Sequence, residues 1–147
     1  MRRRQTAARA LVAAASLVVL GAADTTSSLT VELANVRNQR GLLHLCLTNA
    51  PAHFPDCEAD PDAVKATIRA SVREVSLPAV EPGTYALAVI HDENGNGRLD
   101  TTLGIPNEGF GFSRNPAIGF GPPSFDRVRF PAEAGASRQV VRLRYLL

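Results

Sequence analysis

The sequence predicts an all-β fold, a small antiparallel β-sandwich. Three observations carry that expectation. Apolar and polar residues alternate with period two in several short segments, clusters of Gly, Pro, Asn and Asp separate them, and no stretch carries a long helical period.

Leu29-Thr30-Val31-Glu32-Leu33 alternates as a half-buried strand does, and Asn35 to Gly41 reads as a turn. Leu42 to Thr48 follows, with Leu43, Leu45 and Leu47 on one face and His44, Cys46 and Thr48 on the other, which predicts a hairpin with the first strand. Asn49 to Pro61 is a loop rich in Pro, Asp and small residues. Val64 to Arg73 alternates again. Glu81-Pro82-Gly83 is a turn signal, after which Thr84 to Ile90 is apolar on both faces, the mark of a central strand. Gln139 to Leu146 alternates Val141, Leu143 and Tyr145 with Arg142 and Arg144 and is expected to close the sheet.

Ahead of these strands, Arg2, Arg3, Arg4 and Arg9 precede an apolar stretch from Leu11 to Leu20, and Gly21-Ala22-Ala23 offers a small-residue cleavage site. This pattern is that of a Sec-type signal peptide, residues 1–23, leaving 24–147 as one exported domain, periplasmic or secreted. The apolar run is shorter than the roughly 20 residues of a membrane-spanning helix, so no transmembrane anchor is expected in the mature form. Four of the sixteen basic residues fall in the signal and all fourteen acidic residues beyond it, so the mature domain carries twelve against fourteen, a net charge of −2. That balance, with no basic cluster interleaved with aromatics, excludes a nucleic-acid footprint. Cys46 and Cys57 are the two cysteines, and an oxidising destination predicts a disulfide between them. Their spacing is far from a redox C-x-x-C.

Directly after the central strand stands Asp92-Glu93-Asn94-Gly95-Asn96-Gly97-Arg98-Leu99-Asp100, a D-x-N-x-N-G-x-x-D register. Calcium, a hard cation, takes six to eight oxygens, and positions 1, 3 and 5 of such a loop aim side-chain oxygens inward. The expected ligands are therefore Asp92, Asn94 and Asn96, the backbone carbonyl of Arg98 at position 7, and Asp100 at position 9. Where an EF-hand has a bidentate Glu at position 12 this chain has Leu103, so Glu108 is the candidate to complete the shell, with Asp126 or water behind it. The competing reading is a metal-free turn, since Asn and Gly favour turns unaided. With two certain carboxylates the affinity should be weak, on the order of 0.1 to 1 mM.

A long Gly- and Phe-rich segment follows, from Thr101 to Pro123, and five of the six phenylalanines lie in or just after it. Such length implies a function or disorder, and the aromatic density disfavours disorder. Phe110, Phe112, Phe120 and Phe125 either pack as a satellite core or line a binding surface for a small-molecule, glycan or protein ligand.

HDENGNGRLD, GIPNEGFGFS and GPPSF, between His91 and Phe125, together with the opening LTVELANVRNQRGLLHLCL and the PGTYALAVIHD strand, resemble the bacterial domain of unknown function family 2141. The resemblance covers essentially the whole mature chain. It implies an exported β-sandwich similar to transthyretin-like and carboxypeptidase-regulatory-like modules, and it implies no activity. An enzyme would have to start from His91 beside Asp92 with Ser113 or Ser124 as nucleophile. No nucleophile elbow surrounds either serine, and His44, His53 and His91 lack metal-ligand spacing. The expectation is a non-enzymatic module, either calcium-stabilised and ligand-binding or a purely structural envelope domain.

Mass spectrometry of the exported protein is expected to show an N-terminus near Asp24 and a mass two hydrogens below the reduced form. An intact N-terminus with two free thiols would refute both export and the disulfide.

Overall fold

A computed structural model describes residues 27–147; the expected signal peptide lies outside the described residues. Its elements are β1 (Ser27–Ala34), β2 (Leu42–Thr48), a 3-10 turn (Pro51–His53), β3 (Val64–Arg69), β4 (Glu74–Val80), β5 (Gly83–Asp92), β6 (Thr101–Thr102), β7 (Ile105–Pro106), β8 (Gly109–Phe112), α1 (Phe125–Val128), β9 (Phe130–Ala132) and β10 (Ala136–Arg142). The fold is mostly β, with several antiparallel pairings and one short helix.

β6 and β7 pair as a separate two-stranded hairpin; of the two larger sheets, one has the order β10-β1-β4 and the other runs β3-β2-β5-β8 with β9 pairing the start of β5. Both contribute to a single apolar cluster. Leu29, Val31 and Leu33 of β1 and Val141 of β10 meet Leu43, Leu45 and Leu47 of β2 and Leu87 and Val89 of β5 there. Period-two alternation on every one of these strands places those residues inward.

Four sequence expectations change, the first being that the alternation from Val64 to Arg73 holds a strand only to Arg69, where Ala70 and Ser71 turn the chain. β1 and β2 do not form a hairpin, because Asn35 to Gly41 carries the chain from one sheet to the other. A turn-like composition is equally that of an arch, and the pairing partner is a tertiary choice. β1 instead pairs β10 in parallel, so the fold is not wholly antiparallel. The last strand begins at Ala136 rather than Gln139, and beyond it Leu143 bonds to Ala34 while Arg144 bonds to Phe110, so the C-terminal segment ties both sheets together.

The other face of β5 supports a second cluster, in which Ala86 and Ala88 pack with Phe110, Phe112, Val128 and the Cys46–Cys57 pair. That disulfide, with its Cα atoms 6.0 Å apart, fastens the loop after β2 to the sheet. Asp60 reinforces it, accepting a hydrogen bond from the buried Thr48 hydroxyl. That bond holds its carboxyl below the ordinary range against the opposing effect of burial.

Gly41 sits at the arch's end with φ 69°, and a Cβ there would overlap the Asp92 carbonyl. Gly41→Ala combines a left-handed backbone with a clash against the base of the Asp92 loop, and is expected to cost about 3 kcal/mol or more in denaturant unfolding. An unfolding midpoint equal to wild type would refute the close approach.

Candidate functional site

β5 ends on two residues that point to opposite faces. His91 lies on the core side and is fully buried. Its Nε2 donates to the Arg40 carbonyl at 2.8 Å, and its Nδ1 accepts from the Tyr145 hydroxyl at 2.8 Å. Both ring nitrogens are thereby engaged in holding the arch and the C-terminal segment. Ser113, also buried, donates to the Val128 carbonyl and accepts from the Leu87 amide. Neither residue faces the other or an open cleft.

Asp92, equally buried, points to the opposite face and organises the loop. Its Oδ1 accepts the amides of Gly95 at 2.7 Å and Asn96 at 3.0 Å, and its Oδ2 accepts that of Gly97 at 2.7 Å. His44, reaching across from β2, donates from Nε2 to Oδ2 at 3.0 Å. Burial acts to raise the Asp92 carboxyl, but the bonds from His44 and from the three amides outweigh it and hold the group below the usual carboxylate range. The pattern repeats down the loop: Asn94 Oδ1 accepts the Asn96 amide and Asn96 Oδ1 accepts the Arg98 amide, each at 3.0 Å. Each side chain folds over the turn two residues on, so positions 1, 3 and 5 face inward together.

Asp100 closes the ring. Its carboxylate accepts from Asn94 Nδ2 at 2.6 Å and from Asn96 Nδ2 at 2.9 Å. Glu108, buried, clasps the loop's two ends, taking the Glu93 amide on Oε1 at 2.8 Å and the Asp100 amide on Oε2 at 3.0 Å. A carboxylate has about four lone-pair sites, so each oxygen retains capacity beyond its amide. The Arg98 side chain is exposed, and Leu103 stands at the tip of the β6–β7 hairpin, facing solvent. Asp126 lies in α1, away from this ring, and pairs with Arg129. Among the described residues no group of three or more His, Cys, Asp or Glu is placed to hold a metal.

Sequence reasoning missed the support beneath the loop. Glu93, nearly buried, accepts from Arg37 Nε at 2.7 Å, Asn38 Nδ2 at 2.8 Å and an Arg40 guanidinium nitrogen at 3.1 Å. Arg37 also donates to the carbonyls of Asn107 and Leu147 and stacks over Tyr145 at 4.5 Å. The signal was the crowding of Arg37, Asn38 and Arg40 in a turn whose composition read only as a turn.

The phenylalanines divide. Phe110 and Phe112 are buried residues of β8, and with Phe120 they line a cleft of about 840 Å³ on the outer face of the β3-β2-β5-β8 sheet. Phe125 does not line it; it packs edge-on against Phe54, centroids 6.2 Å apart, in the second cluster. Phe120 is fully exposed.

A family model described as "Uncharacterized protein conserved in bacteria (DUF2141)" matches residues 31–140, a span that holds the loop and the cleft. No curated protein and no solved structure matches the chain.

Glu93, like Asp92, is held below the ordinary range: burial opposes this, and its bonds to Asn38, Arg37 and Arg40 prevail. A depressed folded-state pKa gives stability above the unfolded value, near pH 4, that is lost as pH falls through the folded one. Glu93→Gln is therefore expected to cost about 1 to 3 kcal/mol at pH 7 and progressively less below about pH 4. A deficit that stays constant down to pH 3 would contradict the charge-based origin.

Proposed function

Since the chain belongs to the DUF2141 family of proteins conserved in bacteria, we propose, from its site, that it is an exported, non-enzymatic module. Its fold is a β-sandwich of the transthyretin-like or immunoglobulin-like kind, and its Asp92–Asp100 loop takes a calcium ion. The observation that supports calcium is the inward convergence of Asp92, Asn94, Asn96 and Asp100 on one turn, with Gly97 at φ 83° where the register needs a left-handed residue. An all-oxygen donor set suits a hard cation rather than zinc or copper. The Arg98 carbonyl and Glu108 are the remaining protein donors of the proposed shell.

The Asn94 and Asn96 Nδ2 groups donate to the Asp100 carboxylate and so hold it against the turn. Calcium would turn those amides to present oxygen, trading two neutral donors for a divalent charge. The sandwich reading is supported by two sheets sharing one apolar core. Export rests on the signal-like N-terminus, and no helix among the described residues is long and apolar enough to cross a membrane. The non-enzymatic reading rests on the engagement of His91 and Ser113 in structural bonds. The cleft bordered by Phe110, Phe112 and Phe120 supports ligand binding over a purely structural role.

Calcium at about 100 times its Kd should add about 2.7 kcal/mol to a native state that alone binds it. That corresponds to a rise in melting temperature of about 5 °C or more. Asp100→Ala and Asp92→Ala are each expected to abolish the rise, and Glu108→Ala to weaken it. No shift in the wild type at about 10 mM calcium, well above the weakest extracellular sites, would reduce the loop to a turn.

A further inference from the structure

The register of the five-stranded sheet sets the floor of the cleft in two rows. One runs Lys65, Cys46, Ala88, Phe112 from β3 to β8, and the next runs Thr67, His44, Ile90, Phe110. Both rows are polar at the β3 edge and aromatic at the β8 edge. Four strands at their usual spacing make this gradient about 14 Å long. Half of the outer face is covered, since Phe54, Phe125 and Val128 pack over the Ala86 end with the disulfide loop. The half carrying Ala88 and Ile90 opens instead into the cleft, walled by Leu99 and Ile105 on one side and Ile118 and Phe120 on the other.

Two features of the walls and floor bear on the occupant. Phe120 is fully exposed and Ile105 about half exposed, so the walls of the trough are apolar out to the solvent. At the polar end, Lys65 makes no ion pair and no side-chain hydrogen bond among the described residues, whereas His44 is engaged by Asp92 and Thr67. Asp56 and Glu58 also stand at this end, but on the disulfide loop rather than in the floor, and the Asp56 carboxylate takes the Glu58 amide. Arg98, the other cation of the lining, belongs to the loop and pairs with Asp100 at 3.7 Å, which leaves Lys65 as the cation in the floor to meet a ligand lying along the rows.

We propose that this cleft binds a free long-chain carboxylate, with its head on Lys65 and its chain laid across Ala88 and Ile90 toward Phe110 and Phe112, beneath Phe120. The proposal deepens the ligand-binding reading above and does not depend on calcium. A gradient from one unpaired cation to an aromatic end matches an amphiphile with one anionic terminus.

The test is displacement of dansyl-labelled undecanoic acid from the purified protein by laurate, lauryl alcohol or dodecylamine, each below its micelle concentration, with calcium and with chelator. Laurate is expected to bind at least about tenfold more tightly than the alcohol or the amine, a difference of about 1.4 kcal/mol. Lys65→Gln should remove that preference while leaving the alcohol's affinity unchanged. Phe120→Ser should weaken laurate and alcohol alike, by about tenfold. Both side chains are exposed, so unchanged melting curves will show that the variants fold. If no probe binds, the ligand-binding reading fails and the proposal with it. If probes bind without preference for the carboxylate, or if the amine binds best, the assignment to Lys65 fails while the cleft stands. Co-sedimentation with phosphatidylglycerol vesicles without binding of soluble laurate would overturn it in favour of a membrane surface.

Discussion

Strand β5 imposes the constraint from which the rest of the architecture follows. Tyr85, Leu87 and Val89 on one face and Ala86 and Ala88 on the other are all buried, so both faces must be covered. A strand apolar on both sides cannot sit at a surface, and a single two-layer packing covers only one of them. The β10-β1-β4 sheet covers the first face. The second is covered piecemeal, by a disulfide-pinned loop, the short helix and the phenylalanines of β8. Piecemeal cover leaves a gap, and the gap is the cleft.

The same strand delivers a carboxylate at its end. Asp92 is buried, and its charge is met by an N–H of the His44 ring and by three backbone amides. Burying a carboxylate without such partners would cost several kcal/mol, so the loop conformation and the ionised state of Asp92 require each other. Gly41, against the Asp92 carbonyl, and Glu93, beneath the loop in its cluster of Arg37, Asn38 and Arg40, fix the base from which the loop departs. This explains how an exposed, glycine-rich turn holds an ordered conformation with few apolar contacts of its own.

The strands that alternate cleanly were legible in the sequence, and so was the central position of β5, because period two and two-sided apolarity are local properties. β4 was not legible: Glu-Val-Ser-Leu-Pro-Ala-Val contains a proline, which is tolerated only at a sheet edge, and Ala79 with φ 57° interrupts the run. β8 was hidden in a segment whose glycines read as loop, although Gly111 is needed where a Cβ would meet Val141 Cγ1 at 2.8 Å and the Arg142 carbonyl at 3.0 Å. The parallel β1–β10 pairing and the contact of His44 with Asp92 join residues far apart in sequence, and no local pattern encodes them. The disulfide was readable from the cysteine count and the expected compartment, and it forms.

The loop's register is that of a helix-flanked calcium loop, yet a strand leads into it and a two-residue hairpin strand follows it. In a helix-flanked loop, a bidentate carboxylate at position 12 couples the ion to the exiting helix. Here Leu103 occupies that place at an exposed hairpin tip, and Glu108 instead bridges the amides of Glu93 and Asp100. Any ion held by such a loop would be coupled to β5 and to the segment from Gly97 to Pro106, and to no movable helix. That segment is one wall of the cleft. Order in the loop and shape of the cleft are therefore properties of the same stretch of chain, and an ion bound there would stiffen a wall rather than move a domain. Stiffening a wall lowers the entropic cost of closing it on a ligand.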